Sequence, residues 1–137
     1  MSSNADGQEL VRLAVSTVDP DSLQPMGIFQ AAYRLRRYTC LDAARKQAID
    51  RELSWFQEHL ATPQRFVHTR SKGYYRRPPV AVSWFRAGAT EHLRRADALG
   101  RALAACGLPV QRLRTQHPGY VVYEDDHQVV AVPFRDR

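Results

Sequence analysis

A chain of 137 residues that is 44% hydrophobic and 25% charged has the size and balance of one soluble domain around one packed core, which excludes a disordered polymer and a pair of ordinary domains. No run approaches the roughly 18 consecutive apolar residues of a membrane helix, and residues 1–6 lack the basic-then-apolar order of a secretory signal, so a cytoplasmic protein with no membrane partner is expected. The net charge of +6 is unevenly placed: residues 64–115 hold 11 Lys or Arg against Glu91 and Asp97. A field of that kind favours nucleic acid, phosphorylated ligands or an acidic protein, while the plainer alternative is an arginine-rich solvated surface.

Residues 1–8 are small and polar and are expected to be a flexible leader to a single α+β domain over 9–137. Alternation over 9–16, with Leu10, Arg12 and Ala14 against Val11, Leu13 and Val15, predicts a strand. Asp19-Pro20-Asp21-Ser22 turns the chain and Pro25-Met26-Gly27 breaks it again. Residues 28–38 suit a short helix whose Arg34, Arg36 and Arg37 point outward or pair with acids. Over 41–60 the spacing of Ile49, Leu53, Phe56 and Leu60 is the stripe of a helix facing a core, with Trp55 widening it and Thr62-Pro63 as its stop.

After the basic segment 70–79, Val80-Ala81-Val82 reads as a short extended entry to a second long helix over 84–106, in which Ala89, Leu93, Ala96, Leu99, Leu103 and Cys106 recur at helical steps. Ser83 is its expected N-cap, and Gly107 with Pro109 closes it. Three short strands follow over 110–115, 120–124 and 128–134, with a bend at Gln116-His117-Pro118-Gly119 and a hairpin turn at Asp125-Asp126-His127. Pro133 cannot donate to a ladder, so the last strand lies at an edge or ends there. The sum is two main helices packed on a three- or four-stranded, largely antiparallel sheet. Cys40 and Cys106 are expected to be buried, reduced thiols.

The segment between the two long helices carries the most distinctive chemistry. Arg70, Lys72, Arg76 and Arg77 can neutralise phosphates, Tyr74 and Tyr75 can stack bases, and Gly73 lends freedom between them. These six charged and aromatic residues are the candidate nucleic-acid or anion-binding site, although no zinc finger, helix-turn-helix or RNA-recognition strand is present. A second cluster, Tyr123-Glu124-Asp125-Asp126-His127, gathers three carboxylates and an imidazole. It can serve general acid/base work or cation binding, but aspartates are also the ordinary residues of turns, and the spacing is not that of a calcium loop.

Five histidines, His59, His68, His92, His117 and His127, are scattered with no HxxxH or HExxH pair. No nucleophile elbow, glycine-rich phosphate loop or metal-ligand set occurs, so no cofactor is expected. Ser-Trp-Phe occurs twice, at Ser54-Trp55-Phe56 and Ser83-Trp84-Phe85, and core packing explains such aromatics more simply than a ligand box.

Gly27-Ile28-Phe29 with Tyr33-Arg34, Val82-Ser83-Trp84-Phe85, and Pro118-Gly119-Tyr120-Val121-Val122-Tyr123-Glu124-Asp125 together resemble an uncharacterised family of small bacterial proteins. The resemblance spans most of the chain after Met26 and implies a bacterial, cytosolic, single-domain protein with no activity attached. The reading that follows is a small non-catalytic binding module whose basic surface, including outward arginines such as Arg94, Arg95 and Arg101, takes nucleic acid or an acidic protein. It can also associate with itself through an edge strand near 128–134. The alternative is a small enzyme with a polar pocket near Arg114, His117, Glu124 and Asp125.

Overall fold

The computed structural model describes residues 8–19, 23–60 and 81–134. In chain order these form β1 (Leu10–Val18), β2 (Pro25–Gly27), α1 (Ile28–Tyr38), α2 (Ala43–His59), β3 (Val82–Arg86), α3 (Thr90–Ala105), β4 (Gln111–Thr115), β5 (Tyr120–Glu124) and β6 (Gln128–Val132). The α+β class is as expected, as is a short helix beside two long ones, but among the described residues the antiparallel sheet has six strands where three or four were expected.

The long strand β1 organises the sheet. Along one edge Leu10 to Ala14 face Thr115 to Gln111 of β4. Its other edge is shared: Leu10 and Val11 face Arg86 and Phe85 of β3, while Ala14 and Val18 face Gly27 and Pro25 of β2 across a bulge. β3 then pairs with β6, and β6 with β5. The last strand is therefore interior, flanked by β3 and β5, and not at an edge. Pro133 does end it, because the strand closes at Val132.

Two expectations fail for one physical reason. Residues 82–86 form a strand and not the first turn of α3, which begins at Thr90 after Ala89, so Ser83 sits inside β3 and caps nothing. Pro25-Met26-Gly27, which reads as a break, is the short strand β2. In both places the chain has weak local preference, and the open edges of β1 and β6 supply the hydrogen-bond partners that decide the matter.

The sheet is also far from flat. Five peptide links join Thr115, at one end of β4, to Tyr120, at the opposite end of the far edge strand. An untwisted five-strand width plus one strand length would separate those points by roughly 25 Å, whereas five extended links reach at most about 18 Å. Twist and curl bring the two edges round toward each other.

One face of the sheet presents Val11, Leu13, Val15 and Phe85 to the helices, where they pack with Ile28, Ala31 and Ala32 of α1, Ile49, Leu53 and Phe56 of α2, and Ala96, Leu99 and Leu103 of α3. The predicted stripes are thus the buried ones. Leu10, Trp84 and Val129 pack together on the opposite face, so the two Ser-Trp-Phe tryptophans lie in different surroundings. Their phenylalanines share the helix-side core, Phe56 and Phe85 having ring centroids 6.0 Å apart. α2 and α3 run antiparallel: Arg45 Nε donates to the Ala105 carbonyl (3.2 Å) at one end, and His92 Nε2 donates to the His59 carbonyl (2.7 Å) at the other.

Two helix ends carry well-formed caps. Asp42 caps α2, its carboxylate accepting from Arg45 N–H at 2.8 Å and from the Arg45 guanidinium at 2.6 Å. The backbone hydrogen bond, helped by the guanidinium, holds this carboxyl below its ordinary value against a small opposing desolvation. Since the folded value is depressed, the cap contributes above the ordinary carboxylate pKa and fades as pH falls through the lower one. Asp42→Ala is expected to lower the melting temperature near neutral pH, by an amount that shrinks in acid; thermal denaturation at several pH values measures it. At the C-terminus of α3, Leu108 N–H reaches the Leu103 carbonyl (3.0 Å) and Gly107 N–H the Ala104 carbonyl (3.0 Å), with Gly107 at φ +91°, which is the Schellman arrangement. Both cysteines are free, but only Cys106 is partly buried; Cys40 is exposed in the α1–α2 connection, where no core face awaits it.

Candidate functional site

The predicted anion-binding residues Arg70, Lys72, Tyr74, Tyr75, Arg76 and Arg77 lie outside the described residues. What the structure supplies is the electrostatic frame around that segment. Residues 61–80 contain five basic and no acidic side chains, whereas the described residues contain 13 basic and 11 acidic ones.

Within the frame, most arginines are spoken for. Arg36 pairs with Asp50 (2.6 Å), Arg45 with Asp42 (2.6 Å), Arg86 with Glu124 (2.6 Å), Arg95 with Glu52 (3.2 Å) and Arg112 with Asp97 (2.9 Å). Arg94 pairs with Glu91, and Arg114 approaches Glu9 at 4.0 Å. Of the three α3 arginines expected to face a partner, Arg94 and Arg95 therefore carry acids, and Arg95 also lies over the Trp55 ring, 5.1 Å from its centroid. Among the described residues Arg34, Arg37, Arg51 and Arg101 make no ion pair. Among the described residues the arginines without an acid are thus these four, and only Arg101 of them lies on α3.

The acidic cluster at the β5–β6 turn is tightly organised. Asp125 Oδ1 accepts from the His127 and Gln128 N–H groups (2.8 and 3.0 Å), and Oδ2 accepts from Tyr123 Oη (2.9 Å) and Gln128 Nε2 (3.3 Å). Burial pushes the Asp125 carboxyl up, but these hydrogen bonds together outweigh it and hold the carboxyl below its ordinary value. Burial, reinforced by the hydrogen bond to Asp125, pushes the Tyr123 phenol up. Glu124 is bound by Arg86, whose Nε also donates to the Asp125 carbonyl (2.7 Å). All of this is turn chemistry.

Of the supposed polar pocket, Glu124 joins that network through Arg86, whereas the contacts of Arg114 and His117 are with Glu9 and Thr115. Arg114 stands on β4 and Glu124 on β5, the two outer strands. His117 lies exposed between them, its own N–H donating to Thr115 Oγ1 at 3.0 Å. Nothing here sets a base against a nucleophile within hydrogen-bond reach.

A grouping that the sequence conceals is formed by three of its histidines. His59 stacks on Trp55, ring centroids 4.2 Å apart, and His127 stacks on His92 at 4.1 Å. The buried His92 lies edge-on to Trp55 at 5.0 Å and holds the end of α2 through the His59 carbonyl. His59 Nδ1 is itself engaged, donating to the Trp55 carbonyl at 2.8 Å. Only the i,i+4 step from Trp55 to His59 was legible in the sequence; the rest depends on antiparallel packing of α2 with α3 and on the position of the β5–β6 turn. Among the described residues no group of three or more His, Cys, Asp or Glu is placed to hold a metal ion, and these rings serve as packing. No described helix is long and apolar enough to cross a membrane.

No protein family, curated protein or solved structure matches this chain.

Proposed function

We propose that this chain is a small non-catalytic binding module that holds an acidic partner, with nucleic acid as the partner of first choice, on the basic and aromatic residues Arg70, Lys72, Tyr74, Tyr75, Arg76 and Arg77. The observation that carries the reading is the contrast in charge composition between this segment and the rest of the chain. The frame neutralises most of its own arginines, while residues 61–80 hold five cations with no acid among them. A run of cations with no acid in its own sequence favours a partner of opposite charge, and tyrosines interspersed with arginines add stacking surface for bases.

Titration of a labelled single-stranded oligonucleotide at several salt concentrations tests it. Binding is expected at low salt with log K falling linearly in log[salt], and Arg76→Ala/Arg77→Ala should weaken it roughly tenfold or more near 0.1 M salt and flatten the slope by about 1.4. No binding at low salt, or binding unaltered in the double variant, sinks the nucleic-acid version. A stable complex with an acidic protein would then be the surviving form of the reading.

A further inference from the structure

We propose that the outward face of α1 is a second nucleic-acid contact, a stacking platform for an unpaired base in which Tyr38 supplies the ring and Arg34 and Arg37 the phosphate contacts. It rests on the reading that the chain binds nucleic acid, but it is carried by residues that the structure describes in full.

α1 turns Ile28, Ala31 and Ala32 into the core. Tyr33, Arg34 and Arg37 then fall on the opposite surface, and Tyr38, the last residue of the helix, stands at its margin in line with Ala31, stacked one turn beyond Arg34 because i,i+4 neighbours lie side by side along a helix. These two turns read Tyr33-Arg34 and then Arg37-Tyr38. Tyr38 is 71% exposed, and the Arg34 and Arg37 guanidinium carbons lie over its ring, 5.9 and 5.7 Å from the centroid. Tyr33 is also exposed, and its hydroxyl accepts from Gln57 Nε2 of α2 at 3.1 Å, which fixes its ring.

A solvated helix end accounts for only part of this. Cations in a last turn complement the helix dipole, which explains Arg36 and Arg37. It does not explain two exposed tyrosines, nor why Arg36 is tied to Asp50 at 2.6 Å while Arg34 and Arg37 have no acid partner among the described residues. Two guanidiniums that have no acid partner among the described residues and rest over an exposed ring are complementary to a phosphate–base–phosphate unit, in which the charges swing to the backbone and the ring they uncover meets a base face. An acidic peptide would use the arginines and leave the ring idle. A duplex would present phosphates but no unstacked base.

The test uses the full chain and fluorescence anisotropy with labelled oligo(dT) of about 16 nucleotides, the upper range of one single-strand site, a duplex of equal length, and poly-glutamate as competitor. Tyr38→Ala is expected to weaken oligo(dT) about fivefold or more with its salt slope unchanged, since stacking is not a counterion effect. Tyr38→Phe should bind as wild type, and duplex binding should not respond to either variant. Arg34→Ala/Arg37→Ala should flatten the single-strand slope by about 1.4. All of these side chains are exposed, so circular dichroism melts should match wild type.

If wild type binds and Arg76→Ala/Arg77→Ala weakens it, yet Tyr38→Ala and Arg34→Ala/Arg37→Ala bind like wild type, the α1 platform is refuted while the binding-module reading stands. If poly-glutamate competes as well as oligo(dT) and Tyr38→Ala is silent, the face takes acidic protein and the proposal fails. If wild type binds no oligonucleotide at low salt, both fall together.

Discussion

Gly119→Ala is expected to be the most damaging small substitution in the described structure, lowering stability by about 3 kcal/mol or more and the melting temperature by roughly 10 °C. Gly119 has φ +124° and lies against the backbone that follows β6. A β-carbon placed there would sit 2.0 Å from the Val132 carbonyl oxygen and 2.8 Å from Pro133 Cα. Neither obstacle is a side-chain end that can swing away, so the start of β5 must move off β6 or the backbone must leave a conformation that L residues rarely adopt. Two other glycines calibrate the effect. Gly107 shares the positive φ (+91°) but has open space around the missing β-carbon, so Gly107→Ala should cost only about 1 kcal/mol. Gly88 has neither constraint, and Gly88→Ala should be neutral or slightly stabilising. Urea or thermal denaturation of the three variants gives the ranking; a Gly119 variant as stable as the Gly88 one would refute the contact.

Asp125→Ala should cost about 2–3 kcal/mol, because it removes the acceptor for four donors at once, among them Tyr123 Oη and the amide of the buried Gln128. Asp125→Asn keeps an oxygen for the His127 and Gln128 N–H groups and should lose less than half as much. The pair also reports a charge effect. The folded carboxyl is held below its ordinary 3.8, so its contribution is fully present above that value and is lost as pH falls through the lower folded value. Other carboxylates destabilise both proteins in acid. The difference between wild type and Asp125→Asn should nonetheless narrow below about pH 4, and a constant gap from pH 7 to 2.5 would show that the carboxylate's charge does not matter.

The elements most legible in the sequence were those whose signal is local and periodic. α1 occupies the residues its spacing indicated, and α2 and the core face of α3 follow stripes that survive in the structure because one face of a helix has to be buried. The β4–β6 strands and their turns were legible for the same reason, since proline, glycine and aspartate punctuate them. β2 and β3 were not. Three residues led by a proline carry no period, and Val82-Ser83-Trp84-Phe85-Arg86 fits a helix start and a strand equally well until β1 and β6 offer it two ladders.

The candidate site divides along the same line. Which segment is rich in cations is a property of composition, and the sequence alone located it in 64–115, with Arg70, Lys72, Arg76 and Arg77 close together within it. Which cations are neutralised is not, because Arg95 meets Glu52, Arg112 meets Asp97 and Arg86 meets Glu124 only across element boundaries. The same holds for His59, His92 and His127, distant in the chain and brought together by packing. Sequence by itself determined the α+β class, the helix faces, the hairpin turns and the sign of the charge, since each depends on neighbours within a few residues. Tertiary structure decided strand order, the loss of α3's basic character to ion pairs and the isolation of Arg34, Arg37 and Tyr38 on α1, because each depends on which distant residue the fold sets beside another.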